Sequence, residues 1–243
     1  MGFEREVIGD AILYRGDCRD VLCDVRGADV VVTDPPYGMN TADWDMEVPL
    51  WALPLIRDSL VEGGGCYWFG MAPNIWHVGL SGVLDFQREI IWWHATGFPS
   101  RSNWRLATET VLYLTKGSAA YFDIDAVREE YEVRPERPGG RPDRQNARGK
   151  SPGNVMRFPR PAPRHVDETA HPHAKPVGLL SRFILASCPP GGIVLDPFMG
   201  SGSVGVSALR NGRRYIGIER DAGFFDMACR RLSAEVSQGR LAV

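Results

Sequence analysis

The chain has 243 residues, of which 44% are hydrophobic and 24% are charged, and its formal net charge at pH 7 is −2. This length suits one α/β domain with a substantial core and leaves room for at most a small second module. No apolar run approaches the roughly 18 residues of a membrane span, and the N-terminus lacks the apolar core of a signal peptide. We therefore expect a cytoplasmic protein with no membrane partner.

The first third of the chain predicts strands and helices in alternation. Residues 11–17 (AILYRGD) form a predicted strand that ends at Gly16-Asp17, and residues 19–25 form a predicted short helix. The β-branched run over residues 28–33 is typical of a strand that is buried on both faces. The segment Asp34-Pro35-Pro36-Tyr37 ends that strand, because proline cannot donate to a ladder.

The middle of the chain continues the alternation. We predict a helix over residues 48–65 that is stopped by the glycines at its end, a strand over 66–71 and a second helix over 74–86. Two further strands are predicted over residues 87–95 and 109–117.

A basic segment then breaks the pattern. From about residue 131 to 165, Pro, Gly and Arg crowd the sequence and apolar periodicity is lost, so we expect a long loop or a partly mobile module. Nine basic residues between Arg134 and Arg164 oppose two acidic ones, a local net charge of +7. Such a segment can hold a phosphate backbone on an acidic body, although a solvated linker is the alternative. The candidate DNA contacts are Arg141, Arg144, Arg148 and Lys150.

The last third of the chain is regular again. It predicts a helix over residues 175–188, a strand over 193–196, a helix over 203–211, a strand over 213–221 and a final helix over 222–236. The alternation of strands and helices along the chain predicts an α/β fold built on a doubly wound, mostly parallel sheet.

A glycine-rich turn follows the strand over residues 193–196. Gly200 and Gly202 let a ligand approach the backbone where a Cβ would clash, and Glu219 ends the next strand 19 residues after Gly200. A carboxylate about 20 residues on is placed to accept hydrogen bonds from ribose hydroxyls. Asp196 precedes the turn and would repel a pyrophosphate but attract a cation. The pattern therefore favours S-adenosylmethionine over a nicotinamide dinucleotide, with a plain strand-to-helix turn as the alternative.

The segment Asp34 to Tyr37 lies at the carboxyl end of a predicted parallel strand, where doubly wound folds place their sites. An exocyclic amino group is a weak nucleophile, because its lone pair is conjugated with the ring. The Asp34 carboxylate and the Pro35 carbonyl can each accept one N–H and hold the nitrogen in line with a methyl group. Pro36 keeps the turn stiff, and Tyr37 offers a flat face to an extruded base. The alternative is a strand-terminating turn.

Four segments together resemble the amino-group DNA methyltransferases, which act on adenine N6 or cytosine N4: TDPPYG, LDPFMGSG, IGIE and HPHAKP. The order of the motifs, with DPPY before the cofactor turn and the basic segment between them, is that of the β class. The resemblance implies a site-specific enzyme that uses S-adenosyl-L-methionine and double-stranded DNA. It divides the chain into a catalytic half (1–130), a basic target-recognition segment (131–165) and a cofactor-binding half of the same domain (166–243).

The resemblance also implies individual roles. Lys175 lies in the segment beside the methionine end of the cofactor, where this chain has His173-Ala174 in place of the usual Thr-Gln pair. Asp17 matches the acceptor for the cofactor's adenine amino group, and Glu219 matches the ribose acceptor. The remaining matches are the catalytic Asp34, Pro35, Pro36 and Tyr37 and the methionine-binding Asp196, Phe198, Gly200, Ser201 and Gly202.

Adenine N6 is the predicted target, because DPPY is commoner among the adenine enzymes and SPPY among the cytosine-N4 enzymes. Cytosine N4 stays open, since both reactions use the same acceptor geometry. An RNA or protein-glutamine methyltransferase and a non-catalytic DNA-binding relic stay open as well. The resemblance is consistent with a homodimer and with a cognate restriction endonuclease as partners.

The cysteines and histidines do not predict a further site. Five scattered cysteines without a C-x-x-C pair indicate reduced structural thiols, and His171 with His173 gives too few ligands, so no metal is expected. No cysteine follows a proline, as the nucleophile of a cytosine-C5 methyltransferase would, which argues against methyl transfer to carbon.

Overall fold

The computed structural model describes residues 3–39, 45–94, 104–131, 146–161 and 174–240. Nine strands of this part of the chain join in one sheet, in the spatial order β1-β2-β9-β8-β3-β4-β6-β5-β7. The strands are β1 (Glu4–Ile8), β2 (Ala11–Arg15), β3 (Ala28–Thr33), β4 (Leu60–Gly70), β5 (Asp85–Trp93), β6 (Thr108–Thr115), β7 (Val155–Arg157), β8 (Ile193–Asp196) and β9 (Arg214–Glu219).

The sheet is mostly parallel. Strands β2, β9, β8, β3 and β4 run in the same direction, and β5 and β7 share it, whereas β1 and β6 run antiparallel to their neighbours. The predicted α/β fold with a doubly wound, mostly parallel sheet is therefore confirmed. Because β2 pairs with β9, the first strands of the chain lie beside the strands of its last third.

Six helices cover the two faces of the sheet in the described ranges: α1 (Cys18–Leu22), α2 (Ala52–Ser59), α3 (Trp76–Gly79), α4 (Val177–Ser187), α5 (Ser203–Arg210) and α6 (Ala222–Arg240). Successive side chains of a strand point to opposite faces. Val30 and Val32 of β3 accordingly pack in the core formed with α4, α5 and α6, and Val31 packs in the core formed with α1 and α2. Burial on both faces explains why β3 is an unbroken apolar run. None of the described helices is long and apolar enough to cross a bilayer.

Two helix predictions are wrong in extent. The helix predicted over residues 48–65 covers only Ala52–Ser59, and the glycines that follow belong to β4 instead of ending the helix. They are glycines because neighbours approach closely: a Cβ on Gly63 would lie 2.4 Å from the Ala120 Cβ, and one on Gly65 would lie 3.2 Å from the Tyr113 ring. The sequence pattern could not show those tertiary contacts.

The helix predicted over residues 74–86 is a single turn, Trp76–Gly79, and β5 begins already at Asp85. Gly82, with φ of 68°, takes a left-handed conformation that ends helical geometry, and residues from 85 onward pair with β6. Strand β1 was not predicted, and β7 lies within the segment expected to be a loop. Strand β7 pairs in parallel with β5 and is only three residues long. Three residues are too few to show the alternation of buried and exposed side chains that identifies a strand.

Candidate active site

The predicted site residues gather at one edge of the sheet. Asp17, Asp34, Asp196 and Glu219 stand at or just after the carboxyl ends of β2, β3, β8 and β9, which are parallel neighbours. The chain reverses its course through the sheet between β8 and β3, so the two halves of the site meet at a topological switch point. The fold thus brings the DPPY segment and the glycine turn together, although 163 positions of sequence separate Thr33 from Asp196.

A buried hydrogen bond joins these two halves. Thr33 Oγ1 donates to Asp196 Oδ1 at 2.9 Å, and the Phe198 amide donates to the same oxygen at 3.2 Å. Burial raises the pKa of Asp196 to about 7, although these two donors act against the shift. Asp196 therefore fixes the start of the glycine turn against the end of β3.

Glu219 holds the glycine turn from the neighbouring strand. Its Oε2 accepts from the Gly200 amide at 2.8 Å, and its Oε1 accepts from the Asp221 amide at 2.8 Å. Burial raises the pKa of Glu219, and these backbone donors partly oppose that effect. Gly202 has φ of 77°, and a Cβ there would lie 3.0 Å from the Ala228 Cβ of α6, so glycine is required on both grounds.

Arg231 of α6, which the sequence did not indicate, supports the turn from behind. Its guanidinium donates to the Ser201 carbonyl at 2.6 Å, to the Ser201 hydroxyl at 2.8 Å and to the Ser203 hydroxyl at 3.2 Å.

Asp17 accepts from the Arg19 amide at 2.9 Å as the N-cap of α1. It is adjacent to Glu219 in space, because the Gly16 amide donates to the Glu219 carbonyl at 2.9 Å.

Both oxygens of the Asp34 carboxylate have partners. The Tyr37 hydroxyl donates to Oδ1 at 2.6 Å, and the Lys175 ammonium lies 2.8 Å from Oδ2. Lys175 is 8% exposed and lies over the rings of Tyr37, Phe69 and Trp92. Burial lowers the pKa of Lys175, but the Asp34 and Glu109 carboxylates outweigh it, so the pKa is raised. Lys175, predicted beside the cofactor, thus contacts the Asp34 carboxylate.

Glu109 is a site residue that sequence reasoning missed. Its Oε2 is 3.2 Å from the Lys175 ammonium and accepts from the Tyr37 hydroxyl at 3.2 Å, and its Oε1 accepts from Arg160 at 2.9 Å. The Arg160 guanidinium also lies 3.1 Å from His94 Nε2. Glu109 is the second residue of β6, and since that strand is antiparallel its first residues reach the edge where the parallel strands end. A lone carboxylate in the apolar run TETVLYLT was the available signal.

Two more unpredicted side chains fix the backbone after the tetrapeptide. Asp45 Oδ1 accepts from the amides of Tyr37 at 2.6 Å and Gly38 at 2.9 Å. Asn74 Nδ2 donates to the carbonyls of the same two residues at 3.0 and 3.1 Å. The turn is therefore held from both sides, which orients the Tyr37 ring towards Asp34.

The basic residues occupy two places. Arg148 pairs with Asp125 at 2.6 Å and Lys150 with Glu129 at 3.7 Å, whereas Arg141 and Arg144 lie outside the described residues, as do His171 and His173. At the end of β7 the Arg157 guanidinium lies 4.8 Å from the ring centre of Trp93, at the same edge as Asp34.

All five cysteines are free thiols, and no cluster of three potential metal ligands occurs in the described ranges.

Comparisons with known proteins identify the family and the fold. Residues 28–230 match the N6/N4 family model, whose description is DNA methylase. The chain is 31% identical over 237 residues to the DNA adenine methyltransferase YhdJ of Escherichia coli (strain K12), covering 88% of this chain and 80% of that protein. It is 28% identical over 255 residues to the Type II methyltransferase M.ScaI of Streptomyces caespitosus, covering 93% and 82%.

Solved structures share the fold. The M1.HpyAVI–SAM complex aligns with a TM-score of 0.64 at 22% identity over 90% of this chain and 98% of that one. The cytosine-N4-specific PvuII DNA methyltransferase aligns with a TM-score of 0.72 at 16% identity, over 98% and 96%.

Proposed function

The chain belongs to the N6/N4 family of DNA methylases, and we propose that it transfers the methyl group of S-adenosyl-L-methionine to adenine N6 at a specific site in double-stranded DNA. One observation carries the proposal: the Asp34 carboxylate lies beside the glycine turn, joined to it through the Thr33–Asp196 hydrogen bond. An acceptor for amino N–H groups thus lies next to a turn suited to a cationic cofactor.

The residues around the turn fit this cofactor. Carboxylates at Asp17 and Glu219 can accept from the hydroxyl and amino groups of an adenosine, and they lie at the carboxyl ends of the neighbouring strands β2 and β9. The turn residues Asp196, Phe198, Gly200, Ser201 and Gly202 would hold its methionine part. When bound, S-adenosylmethionine supplies an electrophilic methyl group on a sulfonium. Because Lys175 pairs with Asp34, we propose that it acts on the catalytic carboxylate as well as beside the methionine end.

Asp34 and Pro35 would perform the positioning step. The target amino group donates one N–H to an Asp34 oxygen and one to the Pro35 carbonyl, which directs its lone pair at the methyl carbon. The oxygen Oδ1 now accepts from the Tyr37 hydroxyl, so the entering amino group replaces that bond and Tyr37 turns its ring to the base. Methyl transfer would cleave the C–S bond of the bound cofactor to leave a thioether, and Asp34 would be placed to take the extra proton of the methylated nitrogen.

The choice of adenine rests on the Asp34-Pro35-Pro36-Tyr37 sequence and on the name of the adenine-specific relative. The alternative is cytosine N4, because its amino group would meet the same two acceptors. For the DNA backbone we propose contacts from Arg141, Arg144, Arg148 and Lys150. A homodimer and a cognate restriction endonuclease stay predictions, the latter in keeping with relatives named Type II methyltransferases.

The test is incubation of the purified protein with methyl-labelled S-adenosylmethionine and unmethylated genomic DNA, followed by nucleoside mass spectrometry. We expect labelled N6-methyladenine. Asp34→Ala should lose the label, by roughly 10²–10⁴-fold in rate, while still binding the cofactor; Asp58→Ala, on the exposed side of α2, is the matched control. Labelled N4-methylcytosine would reverse the choice of base, and label in RNA or protein alone would overturn the DNA substrate.

A further inference from the structure

A group of four charges, of which Lys175 and Glu109 are buried, surrounds the proposed reaction centre. Asp34 and Glu109 are acidic, Lys175 and Arg160 are basic, and the chain of contacts runs from Asp34 through Lys175 and Glu109 to Arg160. The side chains of Lys175 and Glu109 are each 9% exposed, so water contributes little to their solvation. A buried ion such as Lys175 requires partners in good geometry, and it has two carboxylates within 3.2 Å.

Glu109 is the member that touches the other parts of the centre. Its Oε2 contacts both the Lys175 ammonium and the Tyr37 hydroxyl. These are also the two groups that contact Asp34. Its second oxygen is held by Arg160, which fixes the carboxylate in place. The side chain of Glu109 therefore determines where both partners of Asp34 stand.

We propose that Glu109 is a positioning residue for methyl transfer. It holds the Lys175 ammonium and the Tyr37 hydroxyl in their places next to the Asp34 carboxylate. The inference rests on the proposed function, since Asp34 is the group that would receive the target amino group. Glu109 acts through its neighbours and need not touch the base.

Charge balance gives the physical reason. With Glu109 ionised, the two acidic and two basic groups balance. With Glu109 neutral, the centre keeps one excess positive charge beside a nitrogen that becomes positive as the methyl group arrives, and like charges repel strongly at a buried site. Lys175 would then pair with the Asp34 carboxylate alone, and the Tyr37 hydroxyl would face one charged acceptor in place of two.

The groups that surround Lys175 set its pKa, which gives a second measurement of the role of Glu109. Asp34 lies on the loop after β3, Glu109 on β6, and the rings of Tyr37, Phe69 and Trp92 close the remaining sides. Arg160 lies behind Glu109, and His94 lies behind Arg160. Burial lowers the pKa of Lys175 while the two carboxylates raise it. Neutralising Glu109 leaves burial opposed by Asp34 alone, so Lys175 should lose its proton at lower pH.

The test compares Glu109→Gln with Glu109→Asp and with Glu235→Gln, which removes a carboxylate from the ion pair with Arg210 on α5. The chain has three lysines, Lys116, Lys150 and Lys175, so ¹³Cε-lysine labelling gives three NMR signals. We expect the Lys175 signal of the free protein to titrate at lower pH in Glu109→Gln and to stay at the parental position in the other two variants. Thermal unfolding curves report whether each variant is folded.

In methyl transfer we expect Glu109→Gln to lower kcat on the order of 10²-fold, the loss that a misplacement of about 1 Å causes, and to change KM for DNA little. The alkaline side of its pH–rate profile should move to lower pH, and Glu109→Asp should restore the parental profile with an intermediate kcat. A parental Lys175 titration or a parental kcat in Glu109→Gln would overturn the role of Glu109. A parent protein that leaves DNA unlabelled would instead overturn the proposed function, and the NMR titration does not depend on that result.

Discussion

Burial and hydrogen bonding have opposite effects on the ionisation of Asp196 at neutral pH. It is 2% exposed, and burial raises its pKa from 3.8 to about 7 in the folded protein. Its oxygen nevertheless accepts two hydrogen bonds that fix the start of the glycine turn. A carboxyl group whose folded pKa lies above its unfolded pKa favours folding at low pH, and this stabilisation is lost as the pH rises through the folded value.

Asp196→Asn should therefore stabilise the cofactor-free protein increasingly between about pH 4 and pH 7. An amide oxygen still accepts from Thr33 and Phe198 but never ionises. We expect the gain in free energy of unfolding over the parent to be small near pH 4 and to reach a few kcal/mol, about 1.4 per unit of pKa, above pH 7. Urea unfolding of both proteins across this range measures it. A difference that does not change with pH would contradict a raised pKa at Asp196.

At the residue scale, the sequence indicated the groups that local structure brings together. Gly200 and Glu219 belong to one strand–turn–helix–strand unit, so a spacing of 19 residues was enough to assign both to one cofactor site. The structure joins them by a hydrogen bond that was not predicted. Glu109, Asp45 and Asn74 were missed, because their partners are set by strand order and loop path. Glu109 meets Lys175 only since β6 is antiparallel, which no spacing along the chain encodes.

At the scale of elements, α5 depends on a glycine in its interior. Gly205 is buried where α5 crosses β9 and α6, and a Cβ there would lie 2.7 Å from the Tyr215 ring and 3.0 Å from Leu232 Cδ2. Tyr215 and Leu232 are both fully buried, so neither can move away without disturbing the core. The third glycine of the G-x-G-x-x-G pattern thus serves close packing of helix against strand.

Gly205→Ala should consequently lower the free energy of unfolding. Alanine gains up to about 1 kcal/mol of helix propensity, but overpacking of a well-packed core costs about 1–3 kcal/mol. Gly223→Ala in α6 is the matched control: that position is exposed, so the gain in propensity should leave the protein unchanged or slightly more stable. Chemical denaturation measures the free energy of unfolding of the parent and the two variants. Equal stability of both variants would show that α5 can shift to accommodate the added methyl group.

Two of the segments that the sequence misassigned share one cause. Gly63 and Gly65 resembled a helix stop, but they are strand residues whose missing Cβ atoms admit Ala120 and Tyr113. Strand β7 pairs with only β5 and has exposed ends, so its three residues carry no alternating pattern. In each case the conformation follows from a neighbour that is distant in sequence.

At the scale of the whole molecule, alternating elements were enough to predict an α/β sheet, and motif order was enough to place DPPY and the glycine turn at one edge. The spatial strand order was not predicted, and it has functional consequences. Because β6 is inserted antiparallel between β4 and β5, the carboxyl ends of β5 and β7 return to the edge that carries Asp34. Trp93 and Arg157 are therefore exposed at the same edge of the sheet as Asp34.

That edge gives an expectation for DNA binding. In duplex DNA, the logarithm of affinity falls with the logarithm of salt concentration by about 0.9 for each phosphate contacted. Arg157→Gln should reduce this slope by about 1, because its exposed guanidinium lies on Trp93 at the edge of the sheet that carries Asp34. Arg148→Gln should do the same if its side chain, 72% exposed, reaches the backbone as we propose.

Arg210→Gln is the control, since Arg210 pairs with Glu235 between α5 and α6 and should leave the slope unchanged. The measurement is binding of a duplex at several salt concentrations, with thermal unfolding of each variant in parallel. Arg148 also bonds Asp125, so loss of that ion pair alone would lower stability without changing the slope. An unchanged slope for Arg157→Gln would mean that the duplex approaches Asp34 from another side. An unchanged slope for Arg148→Gln alone would remove Arg148 from the proposed phosphate contacts and leave Arg157 among them.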